Sequence, residues 1–157
     1  MSESIRTVDR ALAILLCFSQ NTPELTLTQI AERVGLNKST VHRLLGTLDR
    51  NRFIQRDPLT GAYRPGIRLM QFAYLMLEQN DLRRYAAPFL RRLQEQYRET
   101  VDLAILDNAE VVYLEVLESP HRVKLAAAIG QRLPAFCTAT GKALLAFMDD
   151  ETTQRVI

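Results

Sequence analysis

Leu27-Thr-Gln-Ile-Ala-Glu-Arg-Val-Gly-Leu-Asn-Lys-Ser-Thr-Val-His-Arg-Leu-Leu45 holds two helical periods separated by one glycine, and its reading decides the architecture of the first half of the chain. Just ahead of it, Thr26 stands three residues before Gln29 in the spacing of a capping box, with Leu25 and Ile30 at the staple positions. A helix is therefore expected to start there and to run through Ile30, Ala31 and Val34 to Gly35. A left-handed residue at Gly35 would satisfy the last carbonyls and turn the chain. Leu36 is then expected to bury and Asn37 to cap a further helix. In that helix Val41, Leu44, Leu45 and Leu48 fall within about 100° of arc and form the packing face. Opposite them lie Ser39, Arg43, Gly46 and Arg50, flanked by Thr40, His42 and Thr47, with Lys38 in the first turn. Arginine forks fit guanine edges and phosphates, and hydroxyls reach either. A mid-helix glycine costs about 1 kcal/mol against alanine, so close approach to a groove wall is a reason for Gly46. A helix, a tight turn and a second helix with a hydrogen-bonding outer face make a helix-turn-helix, whose second helix enters the major groove of DNA.

Working outward, Thr7 to about Gln20 has the period of an amphipathic helix that supplies the third side of this core, with Cys17 a small hydrophobe within or beside it. Downstream, Phe53-Ile-Gln-Arg56 and Ala62-Tyr-Arg-Pro-Gly66 flank the turn-rich Asp57-Pro-Leu-Thr-Gly61, which predicts a hairpin wing. Arg56 and Arg64 flank that wing, placed to grip phosphates beside the groove. From Arg33 to Arg68 there are eight cations and two anions, while from Asp81 onward ten cations face eleven anions. The first half wants a polyanion and the second half does not need one. The expected DNA contacts are Thr26, Lys38, Ser39, Thr40, His42, Arg43, Thr47, Arg50, Arg56 and Arg64.

The 157 residues, 47% apolar and 24% charged, have ordinary globular composition, which excludes disordered and fibrous classes. No apolar run approaches the roughly 18 to 20 residues of a membrane span, and the first residues lack a secretory apolar region, so a soluble, cytoplasmic protein is expected. Cys17 and Cys137 are far apart in sequence with no second thiol near either, which argues against a disulfide or a zinc cluster. No metal or cofactor is expected. The segment 67–80 is apolar on nearly every side of a helix, so a second subunit or the following domain should cover it. A dimer, or a dimer of dimers, is the expected assembly.

Leu82 to Tyr97 is again helical by period, with Pro88 starting or kinking a turn. Val101–Leu106 and Glu110–Leu117 read as an antiparallel hairpin, with Val123–Ile129 a third strand and Glu115 and Glu118 on its solvent side. Leu133-Pro-Ala-Phe-Cys-Thr-Ala-Thr-Gly-Lys-Ala-Leu-Leu-Ala146 leads from small and hydroxyl residues into a helix starting near Thr140. From spacing alone this is either a plain N-cap or a site where Thr138 or Thr140 and free N–H groups hold the carboxylate of a small metabolite. Both readings stay open on the residues.

Together these segments resemble the IclR family of bacterial transcriptional regulators along essentially the whole chain. The residues that carry the resemblance are Thr7-Val-Asp-Arg-Ala-Leu-Ala-Ile-Leu15, Leu27 to Leu45, the wing to Tyr63, Leu133-Pro134 and Ala139-Thr-Gly-Lys-Ala-Leu-Leu-Ala146. The resemblance implies an α+β protein: a winged helix-turn-helix over 1–66, a linker and dimerisation helix over 67–80, and part of a GAF-like effector domain, an antiparallel sheet with flanking helices, over 81–157. It also implies that Cys137, Thr138, Ala139, Thr140 and Gly141 line an effector pocket, with Leu125 as a wall. Members of the family continue for about a further third of their length, so the effector domain is expected to be incomplete here. Phe136 stands where the family often has histidine and Cys137 where a small residue is usual, so ligand chemistry is not carried over.

The function expected is a dimeric regulator that binds a pseudo-palindromic operator in double-stranded DNA, as repressor or activator, and responds to a small effector, a carboxylate or aromatic metabolite. The alternative is a constitutive winged-helix protein whose second domain only dimerises. An enzyme with Cys137 as nucleophile and His121 or His42 as base is disfavoured: His42 lies on the DNA-facing helix, His121 lies in a turn, and no Walker or GxSxG pattern is present.

Overall fold

The capping box at Thr26 is formed in both directions: its N–H donates to Gln29 Oε1 at 2.8 Å and its hydroxyl accepts from Gln29 N–H at 3.3 Å. The helix it starts, α2 (Leu27–Val34), ends at Gly35, whose φ of +64° is left-handed. The N–H of Leu36 then returns to the Ala31 carbonyl, and the chain turns into α3 (Lys38–Arg50). Asn37 is the N-cap residue of α3 but its side chain makes no capping bond, contrary to expectation; backbone turns from Thr40 and Val41 to the Asn37 carbonyl start the helix instead. The computed structural model describes residues 4–122 and 127–156. These fall into two units, one ending at Met76 and the other starting at Leu77.

In the first unit α1 (Arg6–Leu15) is shorter than the apolar period suggests. After Leu15 the chain tightens, Cys17 N–H reaching the Ile14 carbonyl, so that Cys17 and Phe18 fold in against the core rather than continuing the helix. Arg33 satisfies the end of this turn by donating to the Cys17 carbonyl and to the Thr22 hydroxyl, which removes one cation from the basic stretch and gives it a structural task. The core is Ile14, Leu25, Ile30, Ala31, Val41, Leu45, Ile54 and Tyr63. Each large apolar side chain fully buried here contributes on the order of 1.5–3 kcal/mol. The wing pairs β1 (Ile54–Arg56) with β2 (Tyr63–Pro65), and reciprocal bonds between Leu25 and Tyr63 tie it to the start of α2.

The wing continues directly into α4 (Ile67–Glu78). Gly66 N–H donates to the Phe53 carbonyl, Arg68 N–H to the Arg52 carbonyl, and Phe72 stacks on Phe53 with ring centroids 5.8 Å apart. The expected burial of α4 is absent within this chain: it has no buried residue, and Ile67, Met70, Phe72, Tyr74, Leu75 and Met76 are all more than half exposed.

The second unit begins with α5 (Asp81–Tyr97), capped by Asn80 Oδ1, which accepts from Arg83 N–H. Pro88 neither starts nor ends it; the helix is continuous, and the exposed ring has no N–H for the backbone bond of that turn. The sheet has the antiparallel order β3 (Val101–Asp107), β4 (Glu110–Leu117), β5 (Arg132–Pro134). The strand expected over Val123–Ile129 lies largely outside the described residues, as does Leu125; the third strand described is β5, entered through a turn at Gly130. A register shift pairs Leu103 with Glu115 and then Ala104 with Tyr113, skipping Leu114. The extra residue breaks the two-residue alternation, so Tyr113 and Glu115 do not share a face. Tyr113 joins Ala104, Val111, Ala135, Leu145 and Val156 in a core with α6 (Ala139–Leu145) and α7 (Asp150–Val156). Glu115, expected to face solvent, instead lies 2.7 Å from Arg83 Nε of α5 and is mostly buried.

A Cβ added at Gly66 would lie 2.3 Å from the Arg52 carbonyl oxygen, a backbone atom fixed by the bond from Arg68. Gly66→Ala should therefore lower the stability of the first unit by about 1–3 kcal/mol in urea unfolding; an unchanged midpoint would show that the joint between wing and α4 is looser than these contacts require.

Candidate nucleic-acid interface and effector loop

Val41 and Leu45 are wholly buried, and this fixes which face of α3 looks outward. On that face Lys38, Ser39, His42, Arg43, Gly46, Thr47 and Arg50 are exposed and Thr40 is half-exposed. Every α3 residue expected to contact DNA is thus exposed or half-exposed, and Thr40, His42, Arg43, Thr47 and Arg50 line one groove. Its volume is about 800 Å³. Thr47 donates to the Arg43 carbonyl and accepts from Arg50 Nη2, which steadies one arginine along the helix. A Cβ at Gly46 would meet nothing within 4 Å, so no packing inside the protein demands glycine there. The opposite wall of the groove is α1, which contributes Thr7 and Arg10. Sequence reasoning missed both, because their i, i+3 spacing on the polar side of α1 looks like any solvated face until α1 is set beside α3.

The wing residues are differently engaged. Arg56 lies over the Tyr63 ring, 5.8 Å from its centroid, while Arg64 bonds Gln55 at 3.3 Å and stands 4.0 Å from Glu24. Both remain exposed. At the tip, Asp57 Oδ1 accepts from Thr60 and Leu59 N–H, and these bonds hold its carboxyl below the usual carboxylate range. Thr26 is exposed, yet its hydroxyl and N–H are committed to the capping box.

In the second unit the loop 135–138 is a 3-10 turn that leads into α6. The helix starts at Ala139, not near Thr140, and has seven residues. Thr138 caps it, its Oγ1 accepting from Gly141 N–H at 3.0 Å. Gly141 is buried against Ala135, where an added Cβ would lie 2.1 Å from the carbonyl oxygen. Close backbone packing accounts for this glycine, and its N–H is already used. Phe136, Cys137 and Ala139 are exposed and Thr140 half-exposed, with the Cys137 thiol directed at the Pro134 carbonyl.

Asp102, on β3, pairs in register with Val116, which packs against the core shared with α6. Its Oδ1 is buried without a hydrogen-bond partner among the described residues, and burial raises its pKa. A carboxyl that binds its proton more tightly when folded favours folding below its unfolded pKa of about 3.9, and loses that contribution as pH rises through the folded value. Asp102→Asn should accordingly be at least as stable as the wild type at pH 7, with the advantage gone below about pH 4. Urea unfolding at both pH values reads this out, and a less stable variant at pH 7 would reveal a partner for the carboxylate.

A helix-turn-helix with a wing beside it, followed by a separately folded sheet unit, is the build of a transcription factor with an attached sensing domain. Residues 7–58 match the IclR helix-turn-helix domain, and residues 74–157 match the domain described as bacterial transcriptional regulator IclR C-terminal. The chain belongs to the IclR family of bacterial transcriptional regulators. It is 38% identical over 146 residues to the HTH-type transcriptional regulator XynR of Escherichia coli, covering 93% of this chain and 58% of that protein. Among solved structures it is similar to an IclR family transcriptional regulator from Brucella abortus, with 30% identity, a TM-score of 0.80, and coverage of 98% of this chain and 58% of that one. It is also similar to an IclR homolog from Microbacterium hydrocarbonoxydans solved with 4-hydroxybenzoate, with 29% identity, a TM-score of 0.79, and coverage of 96% and 62%. The chain thus spans about three-fifths of the length of the relatives it matches.

Proposed function

We propose that the chain binds a pseudo-palindromic operator in double-stranded DNA as a homodimer or a dimer of dimers, and that a small molecule held by its second unit changes the affinity. The observation that carries this reading is the outer face of α3: donors and a glycine with no packing role, set outward by a wholly buried Val41 and Leu45. Ser39, His42, Arg43, Thr47 and Arg50 enter the major groove around Gly46, with Lys38 and Thr40 on the bordering phosphates. Arg56 and Arg64 hold the backbone from the wing. Thr26 acts through its cap, which fixes the start of α2. The apolar, uncovered α4 supplies the contact between protomers, because a helix with that many exposed large side chains is covered in a working assembly.

For the effector, what supports a site near the 136–140 loop is the exposure of Phe136, Cys137 and Ala139, and the 4-hydroxybenzoate bound by the Microbacterium homolog favours an aromatic carboxylate class. Gly141 shapes the loop by packing, and Thr138 by capping, so contacts to a ligand fall to Cys137, Ala139 and Thr140. An effector shifts operator binding by the difference of its affinities for the two dimer arrangements, and by no more than that.

The test is fluorescence anisotropy with a duplex enriched on the chain from a random-sequence pool, against a scrambled duplex of equal length. Arg43→Ala should weaken the enriched duplex by about 1–3 kcal/mol while sparing the scrambled one, and Arg56→Ala should weaken both alike and reduce the salt slope. Equal loss on both duplexes from Arg43→Ala would remove α3 from base reading. Gly46→Ala should act in opposite directions in the two assays. Thermal unfolding should show a gain of up to about 1 kcal/mol, whereas anisotropy should show weaker operator binding because the methyl group meets the groove wall. A variant that is more stable and binds unchanged would free Gly46 of any DNA role.

A further inference from the structure

We infer that α1 is a second DNA-contacting element, in which Arg10, with Thr7 one turn before it, holds a backbone phosphate on the flank of the groove that α3 enters. The inference rests on the DNA-binding reading above and adds a contact from outside the helix-turn-helix and the wing. Its starting point is the charge of the groove between α1 and α3. Arg10 lines it together with Arg43 and Arg50, and among the described residues no aspartate or glutamate does. Three guanidinium groups around one concavity repel one another in the free protein, and a polyanion relieves that repulsion.

Arg10 is also unusual among the half-buried arginines. Arg83 is in ion-pair contact with Glu115, whereas Arg10 has no ion pair or hydrogen bond among the described residues. Its sequence neighbour Asp9 does not serve it: that carboxylate accepts from the Ser4 hydroxyl. Partial burial restrains the Arg10 stem, so less side-chain freedom is lost on binding than for a fully exposed arginine. An unpaired cation already placed beside the reading helix is suited to a phosphate.

The side of α3 that α1 faces decides what Arg10 reads. Of the α3 residues on the lining, Thr40, Leu44 and Thr47 form one row, spaced by four and three, whose Leu44 packs against the core, while His42, Arg43, Gly46 and Arg50 lie further out. A side chain arriving from that flank meets the sugar-phosphate edge of the groove and not the base edges at its floor. Arg10 therefore contributes affinity and register, equally for every sequence. Thr7, on the same face of α1, offers a hydroxyl to the same phosphate.

The experiment is anisotropy of the full chain with the enriched and scrambled duplexes over a range of salt concentrations. Arg10→Gln is expected to weaken both duplexes by the same factor, to leave their ratio unchanged and to lower the salt slope by about one. Arg10→Lys should keep the slope. Arg6→Gln, which removes an exposed arginine from the same helix outside the groove lining, should leave it unchanged. A slope unaltered in Arg10→Gln overturns the proposal, as does a loss equal to that of Arg6→Gln or one confined to the enriched duplex. Should Arg10→Gln fail to fold by circular dichroism, phenylglyoxal labelling of the wild type decides: bound DNA should protect Arg10 and not Arg6, and equal labelling of Arg10 with and without DNA overturns it. If the wild-type chain binds neither duplex, the DNA-binding reading falls and this proposal with it; binding with an unshifted slope removes only Arg10.

Discussion

The rotation of α3 about its own axis is the constraint on which the rest of the first unit depends. Val41 and Leu45 are buried completely, against Ile30 of α2 and Ile14 of α1 in one core, so a turn of α3 by even one residue position would expose two large side chains and bury an arginine. Each error would cost several kilocalories per mole, a large share of what holds a small domain together. The left-handed Gly35 and the return of Leu36 N–H to Ala31 fix the angle at which α3 leaves α2. Rotation and angle together set the direction of every donor on the outer face.

The same economy governs the joint between wing and α4. Gly66 is pressed against the Arg52 carbonyl, Arg68 bonds that carbonyl, and the Phe53 and Phe72 rings stack across the joint. The first turns of α4 therefore move with the winged domain. A helix so anchored, with apolar side chains uncovered along its length, would under the dimeric reading proposed above turn contact between two protomers into a fixed spacing of two reading heads. Arg10, Arg43 and Arg50 line the α1–α3 groove, while Arg33 and Arg83 hold parts of the fold together.

The second unit solves a different problem. Arg132 forks to Glu110 and Asp107 at 2.7 and 2.8 Å, joining the three-residue β5 to the β3–β4 turn, and the bulge lets Glu115 meet Arg83 while Tyr113 joins the core with α6. The loop before α6 is shaped from within: Thr138 caps Gly141, and Gly141 admits the Ala135 backbone. Thr138 Oγ1 and Gly141 N–H are engaged with each other, while Phe136, Cys137 and Ala139 stand at the surface.

Most elements set by a local rule could be read from the sequence alone, the unformed side-chain cap at Asn37 being an exception. The capping box at Thr26, the glycine at position 35, the stripe through Val41, Leu45 and Leu48, and the turn-rich wing tip each depend on residues within one or two turns of one another. The helix-turn-helix, its outward donors and the 101–117 hairpin were legible for that reason. Contacts between distant segments were not. Only the tertiary structure shortened α1 and turned the chain after Leu15, turned Glu115 inward through a bulge, assigned Arg33 to a carbonyl, and made Gly141 a packing residue. Arg10 belongs with these: its charge is plain in the sequence, but what it faces depends on where α3 lies, and the packing of two helices is a property of the whole core and not of either helix alone.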